Sequence, residues 1–161
     1  MSRDALRGVW RALAGWLGRK PRPPEGETIG QRRRRAGSWG EDVAAEQLKR
    51  EGWKILARNV RFGPRMELDI VARQPRPPVL VFVEVKTRKS EALGRPSSSV
   101  DASKRRAQDR AARKYLQHLG TRRPAHWRFD VVEVIGDPDS GEAPVVRRIE
   151  GAWEMSVPEW G

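Results

Sequence analysis

The spacing of apolar and polar positions changes period several times along the chain. Over residues 38–51, Trp39, Val43 and Leu48 recur at helical spacing, Ser38 and Glu41 have capping-box spacing, and Gly52 suits a C-terminal cap, so a helix is predicted. Residues 54–62 are rich in β-formers and stop at Gly63-Pro64, which predicts a strand. In residues 66–72 the period falls to two: Leu68, Ile70 and Ala72 take one face, and Glu67, Asp69 and Val71 the other. Residues 74–78 form a proline-rich turn, and 79–88 is the most strand-like stretch of all. A Gly- and Ser-containing segment, 94–99, leads into a second helix predicted over about 100–119 and stopped by Gly120. Two further strands, 128–135 and 145–149, flank a turn-rich connection at 136–142. The order helix, three strands, helix, two strands, without internal repeats, predicts an α/β domain with a central mixed sheet flanked by helices.

The second and third strands carry the candidate chemistry. Phe82, Glu84 and Lys86 share one face of their strand, and a half-buried strand ordinarily keeps Glu and Lys away from so many valines. A hairpin turn centred between Arg76 and Pro77 places position 69 opposite position 84, with Cβ atoms roughly 5 Å apart. Two carboxylates so placed repel each other, and a divalent cation between them reverses the sign of that interaction. Magnesium and manganese take such oxygen ligands. Lys86 projects on the same side as Glu84, where it can orient a water or meet negative charge on a phosphate, and Glu41 on the first helix offers an outer carboxylate. A Glu-Val-Lys triplet also occurs on solvated strand faces, where it only pairs charges; a one-residue slip of register would separate the acids.

Charge then supplies a partner class. The 161 residues hold 33 Lys and Arg against 21 acids, a net charge of +12, and residues 1–36 hold ten of the bases and three of the acids. The chain therefore divides into a basic arm and linker, 1–36, and a moderately basic domain, 37–161, whose expected partner is a polyanion. In the arm, Leu6, Val9, Trp10, Leu13, Trp16 and Leu17 fall at helical spacing before Pro21, Pro23 and Pro24, and a basic run follows at 31–35. Three readings fit it: a nucleic-acid arm, an amphipathic helix on an anionic membrane surface, and a disordered extension. The absence of cysteine removes disulfide scaffolds, zinc fingers and cysteine nucleophiles and fits a cytoplasmic setting; two histidines leave little for a histidine-based centre. No apolar run approaches the roughly 18 residues of a membrane span, and no phosphate-binding or dinucleotide fingerprint is present. Arg58, Arg88 and Arg95 are candidate phosphate contacts, and Lys104 is a further candidate nucleic-acid contact, on a helical stripe with Val100, Ala107, Ala111 and Tyr115 that points it inward beneath the site or leaves it at the site's edge. Asp130, beside Arg128, reads first as a structural ion pair.

These residues form an ordered set: Gly37-x-x-Gly40-Glu41, Arg58-Asn59, Glu67-Leu68-Asp69-Ile70-Val71-Ala72, Phe82-Val83-Glu84-Val85-Lys86-Thr87-Arg88, Gly94, Val100, Lys104 and Arg128-Phe129-Asp130-Val131-Val132. In this set the chain resembles the YraN-type family of bacterial proteins over residues 37–153, departing from the pattern at Met66, where a glycine is usual. That family is placed in the restriction-endonuclease-like superfamily and is similar to archaeal Holliday junction resolvases. The resemblance implies four or five mixed strands flanked by helices and a nuclease-like metal site. There Asp69 and Glu84 would ligate Mg2+ or Mn2+, Lys86 would assist the water, Glu41 would complete the acidic cluster and Glu67 would support it from behind. The expected function is metal-dependent hydrolysis of DNA, with branched and single-stranded forms as candidate substrates. The alternatives are a nucleic-acid-binding adaptor that keeps the fold without turnover, and a membrane- or partner-docking protein that uses the arm. Symmetric action on a junction would call for a homodimer.

Overall fold

A computed structural model describes residues 24–90 and 102–155, together with the backbone of Val9–Arg11. Its elements are β1 (Val9–Arg11), α1 (Ile29–Arg50), β2 (Lys54–Gly63), β3 (Met66–Pro75), β4 (Pro78–Arg88), α2 (Ala102–Leu119), a single 3-10 turn (Gly120–Arg122), β5 (Trp127–Ile135) and β6 (Val145–Trp153). The sheet order is β1-β6-β5-β4-β3-β2; β4 and β5 run parallel and every other pair is antiparallel. The α/β architecture with a mixed sheet flanked by helices is the one expected. Among the described residues no helix is long and apolar enough to cross a membrane.

One helix packs on each face. Val43, Ala44, Ala45 and Leu48 of α1 meet Ile70, Ala72, Val81, Val83, Val132 and Val134, and Ala111, Ala112 and Leu116 of α2 meet Leu68, Val71, Leu80, Phe82, Phe129 and Trp153. The central strands are therefore covered on both sides, which accounts for their run of valines. Trp53 and Trp153 are buried, while Trp39 and Trp127 pack against the core as half-buried residues.

Two sequence expectations need correction. The first helix starts at Ile29 rather than 38, because the capping box is Thr28–Gln31: the Gln31 N–H donates to Thr28 Oγ1 at 3.2 Å, and the Thr28 N–H to Gln31 Oε1 at 2.9 Å. The basic run 31–35 thus lies on α1, and the helix crosses the expected boundary at residue 36. Apolar spacing missed this stretch because its side chains are exposed or half-buried; Gln, Arg and Ala favour helix by propensity alone. Arg35 also fastens it, donating to Glu27 at 2.9 Å and to Asp139 of the β5–β6 connection at 2.8 Å. In the arm, Val9–Arg11 pairs with β6 as a short strand instead of a helix. The rest of that proposed helix, at 6–8 and 12–17, lies outside the described residues.

Helix α1 approaches the sheet closely where Gly40 meets Thr87 of β4. A Cβ at Gly40 of α1 would lie 1.9 Å from Thr87 Oγ1 and 3.1 Å from Thr87 Cβ. Gly40→Ala is therefore expected to destabilise the protein by about 1–3 kcal/mol, despite alanine's better helix propensity. Urea unfolding of Gly40→Ala, Thr87→Ala and the double variant checks this. The Gly40→Ala loss should shrink once Thr87 is also shortened, and an unchanged loss would rule out the clash as its cause.

Candidate functional site

The β3–β4 hairpin closes as the turn predicts. Its ladder runs from Pro75–Pro78 to Ile70–Val83, and one further step brings Asp69 opposite Glu84. At this point the Val85 N–H donates to Asp69 Oδ2 at 2.8 Å, so the carboxylate takes part in holding the strands together. On the other side of Asp69, position 59 of β2 falls between the Arg58–Ile70 and Val60–Leu68 pairs. Asn59 there has a φ of 51°, a left-handed conformation that asparagine tolerates better than most side chains. Around this point the expected alternation breaks: Leu68 and Val71 both face α2, while Ile70 and Ala72 face α1.

Asp69 and Glu84 form a pair, Asp69 half-buried and Glu84 buried. Glu84 is 2% exposed, and burial first, then the charge of Glu84, pushes Asp69 up to about 8 against the opposing Val85 hydrogen bond. Two α2 side chains one turn apart hold Glu84: Lys104 Nζ donates to Oε1 and Gln108 Nε2 to Oε2. Burial lowers the Lys104 pKa, but the Glu84 charge and hydrogen bond, with Asp69, carry it above the ordinary lysine value. Lys86 Nζ lies 3.8 Å from Glu84 Oε1.

The other candidates fall elsewhere. Glu41 does not join the Asp69–Glu84 pair. Burial raises its pKa against a hydrogen bond from Asn59, the Arg58 guanidinium lies 3.9 Å away, and the charge of Glu67 also acts on it. The expected three-acid cluster is thus divided, because Asn59 and Arg58 hold Glu41 on its own side. Glu67 pairs with Arg61 at 2.9 Å, and Arg58 pairs chiefly with Asp42 at 2.7 Å. Arg88 Nε lies 3.8 Å from Glu133, a buried carboxylate of β5 aligned with Lys86. Lys104, a candidate nucleic-acid contact on the α2 stripe, touches Glu84. Arg95, with Gly94 and Val100, lies outside the described residues.

Sequence reasoning missed Gln108 and Glu133. Gln108 sits at i+4 from Lys104 on the stripe that carries the buried Ala111 and the half-buried Tyr115, and a second polar side chain on that stripe was the available signal. Glu133 lies among valines just as Glu84 does, but the hairpin argument did not reach β5.

Among the described residues no three His, Asp or Glu side chains converge on a metal position. The site instead offers two carboxylates; Gln108, whose amide donates to Glu84, keeps its own Oε1 buried without a hydrogen-bond partner. This hard-oxygen set fits magnesium or manganese with water completing the shell, and the like-charged pair gains most from a cation.

These features define an α/β protein with paired acids at the end of its central hairpin and a lysine one strand repeat beyond. The chain belongs to the uncharacterised protein family UPF0102, whose model matches residues 40–134, from the Gly40 contact through β5. It is 49% identical to a UPF0102 protein of Symbiobacterium thermophilum over 106 residues, covering 66% of this chain and 86% of the relative. A UPF0102 protein of Syntrophotalea carbinolica is 46% identical over 121 residues, 74% of this chain and 91% of the relative. One of Myxococcus xanthus is 40% identical over 127 residues, 78% and 94% respectively.

Proposed function

We propose that this protein is a metal-dependent nuclease of the restriction-endonuclease-like fold, acting on DNA. The observation that carries the reading is the Asp69–Glu84 pair at the end of the β3–β4 ladder, Glu84 buried and Asp69 half-buried, with Lys86 Nζ 3.8 Å from Glu84 Oε1. A structural role alone gives no reason to set two carboxylates against each other on the central strands. Asp69 and Glu84 would hold magnesium or manganese, which when bound polarises a phosphate and lowers the pKa of a coordinated water. Lys86, about a quarter exposed, stands where it can orient the attacking water and meet the charge that develops on the phosphate. The Val85 N–H fixes one Asp69 oxygen, and Gln108 fixes one Glu84 oxygen, so both acids are oriented before a substrate arrives. The net charge of +12 suits a phosphodiester substrate.

A second reading has its own support. Lys104 and Gln108 together occupy both oxygens of Glu84, as they would in a nucleic-acid-binding adaptor that keeps this architecture without turnover.

Cleavage of labelled duplex, single-stranded, flap and four-way-junction DNA with Mg2+, Mn2+ or EDTA separates the two readings. Metal-dependent cutting that falls at least about a hundredfold in Asp69→Asn and in Lys86→Ala is expected. Binding without cutting across the whole panel would favour the adaptor. Normal cutting by Asp69→Asn would displace the site.

A further inference from the structure

We infer that Lys104 is a tethered counter-ion: its ammonium occupies Glu84 in the metal-free protein and is displaced when a divalent cation enters. The inference rests on the proposed metal site and concerns how that site is kept before loading.

Three observations lead to it. The Glu84 side chain is 1% exposed, so its charge needs a partner inside the protein, and the Lys104 ammonium hydrogen-bonds Oε1. The Lys104 side chain itself is 49% exposed, and it reaches Glu84 from the first turns of α2. It can therefore swing into water at little cost, whereas Glu84 on a central strand cannot move. The two contacts on Glu84 also differ in kind. Gln108 is 3% exposed and neutral, so it orients its oxygen whatever charge is nearby. Lys104 brings a full positive charge to Oε1 of the carboxylate that would hold a metal.

Ammonium and divalent cation then compete for the same carboxylate. Lys86 Nζ, 3.8 Å from that oxygen, is beyond hydrogen-bond distance, and among the described residues Lys104 is the cation in direct contact. A lysine placed this way weakens metal affinity while keeping the unloaded site folded. The consequence runs against the usual effect of removing a residue from an active site: loss of Lys104 should improve metal binding.

Calorimetric titration of Mn2+ into the full-length wild type, Lys104→Met and Asp69→Asn tests this. Lys104→Met is expected to bind about tenfold more tightly than wild type, with Asp69→Asn losing binding. Equal or weaker binding by Lys104→Met, with Asp69→Asn still deficient, would overturn the counter-ion and leave the metal site standing. No Mn2+ binding by any of the three would remove both. Amine acylation of the wild type, read by mass spectrometry, gives a result that does not depend on the variant folding. Lys104 should be acylated faster at saturating Mn2+ than in EDTA, relative to the exposed Lys54. Unchanged protection of Lys104 under Mn2+ would overturn the proposal.

Discussion

Replacing Asp69 by asparagine is expected to stabilise the metal-free protein at pH 8 while removing its affinity for divalent cations. The folded protein pushes Asp69 from 3.8 up to about 8, through burial and the neighbouring Glu84 charge. The folded state therefore holds this proton over a pH range in which the unfolded chain has released it. The associated stability is fully present below about pH 4 and declines as pH rises through about 8, where both states are ionised and the like-charge cost is complete. At about 1.4 kcal/mol per pKa unit, the decline amounts to several kcal/mol. Asparagine copies the protonated acid: its Oδ1 can accept from Val85 N–H, and its amide can donate to Glu84. The variant should then show a flatter stability-against-pH curve and lie above wild type at pH 8. Added Mn2+ should raise the wild-type Tm and leave the variant unmoved. Urea unfolding between pH 5 and 9, with and without Mn2+, measures both effects. Parallel curves for the two proteins would show that Asp69 carries no burial penalty.

The second large effect is expected on the opposite face of the sheet. Asp130 is fully buried and accepts four hydrogen bonds: from Arg128 Nε at 2.8 Å and Nη2 at 3.2 Å, from Arg148 Nη1 at 3.1 Å, and from the Gly151 N–H at 3.0 Å. The Arg128 and Arg148 guanidiniums also lie 5.8 and 5.0 Å from the Trp53 ring centroid, so the network ties β5 and β6 to the turn after α1. Asp130→Ala would leave two mostly buried cations beside each other with only the exposed Glu150, and for Arg128 also Gln74, as partners among the described residues, at a cost of about 3–5 kcal/mol. Asp130→Asn keeps part of the hydrogen bonding and should lose less. A loss below about 1 kcal/mol in Asp130→Ala would show that the arginines find other partners. Neither variant should alter Mn2+ binding in molecules that remain folded.

The contrast between these two acids shows what was legible before folding. Asp130 was readable because its partner Arg128 lies two positions away on the same strand face. The Asp69–Glu84 register was readable because a short proline-rich turn leaves a hairpin few ways to close. The left-handed Asn59 was not, since it sits inside a run of β-formers and nothing in that run announces a break. That residue lies opposite the stretch of β3 where the expected alternation between the two helices breaks. It also hydrogen-bonds Glu41, which the sequence grouped with Asp69. The Lys104–Gln108 grip on Glu84 was half visible: the stripe on α2 was legible, but its destination depended on how α2 crosses the sheet. The early start of α1 was hidden for a simpler reason, since a solvent-facing helical turn needs no apolar periodicity.

The chain order of these contacts has a consequence for how the protein is assembled. Asp69 and Val85 are only 16 residues apart, within a hairpin that can zip on the microsecond scale. Lys104 and Gln108 follow Glu84 by 20 and 24 residues and reach it only when α2 docks, in the crossover that lets β5 align parallel to β4. Folding thus brings the two acids together first and delivers the Lys104 ammonium later. The docking of α2 is rewarded by a cation reaching a carboxylate that the hairpin has already set in place, which couples the crossover to the local turn.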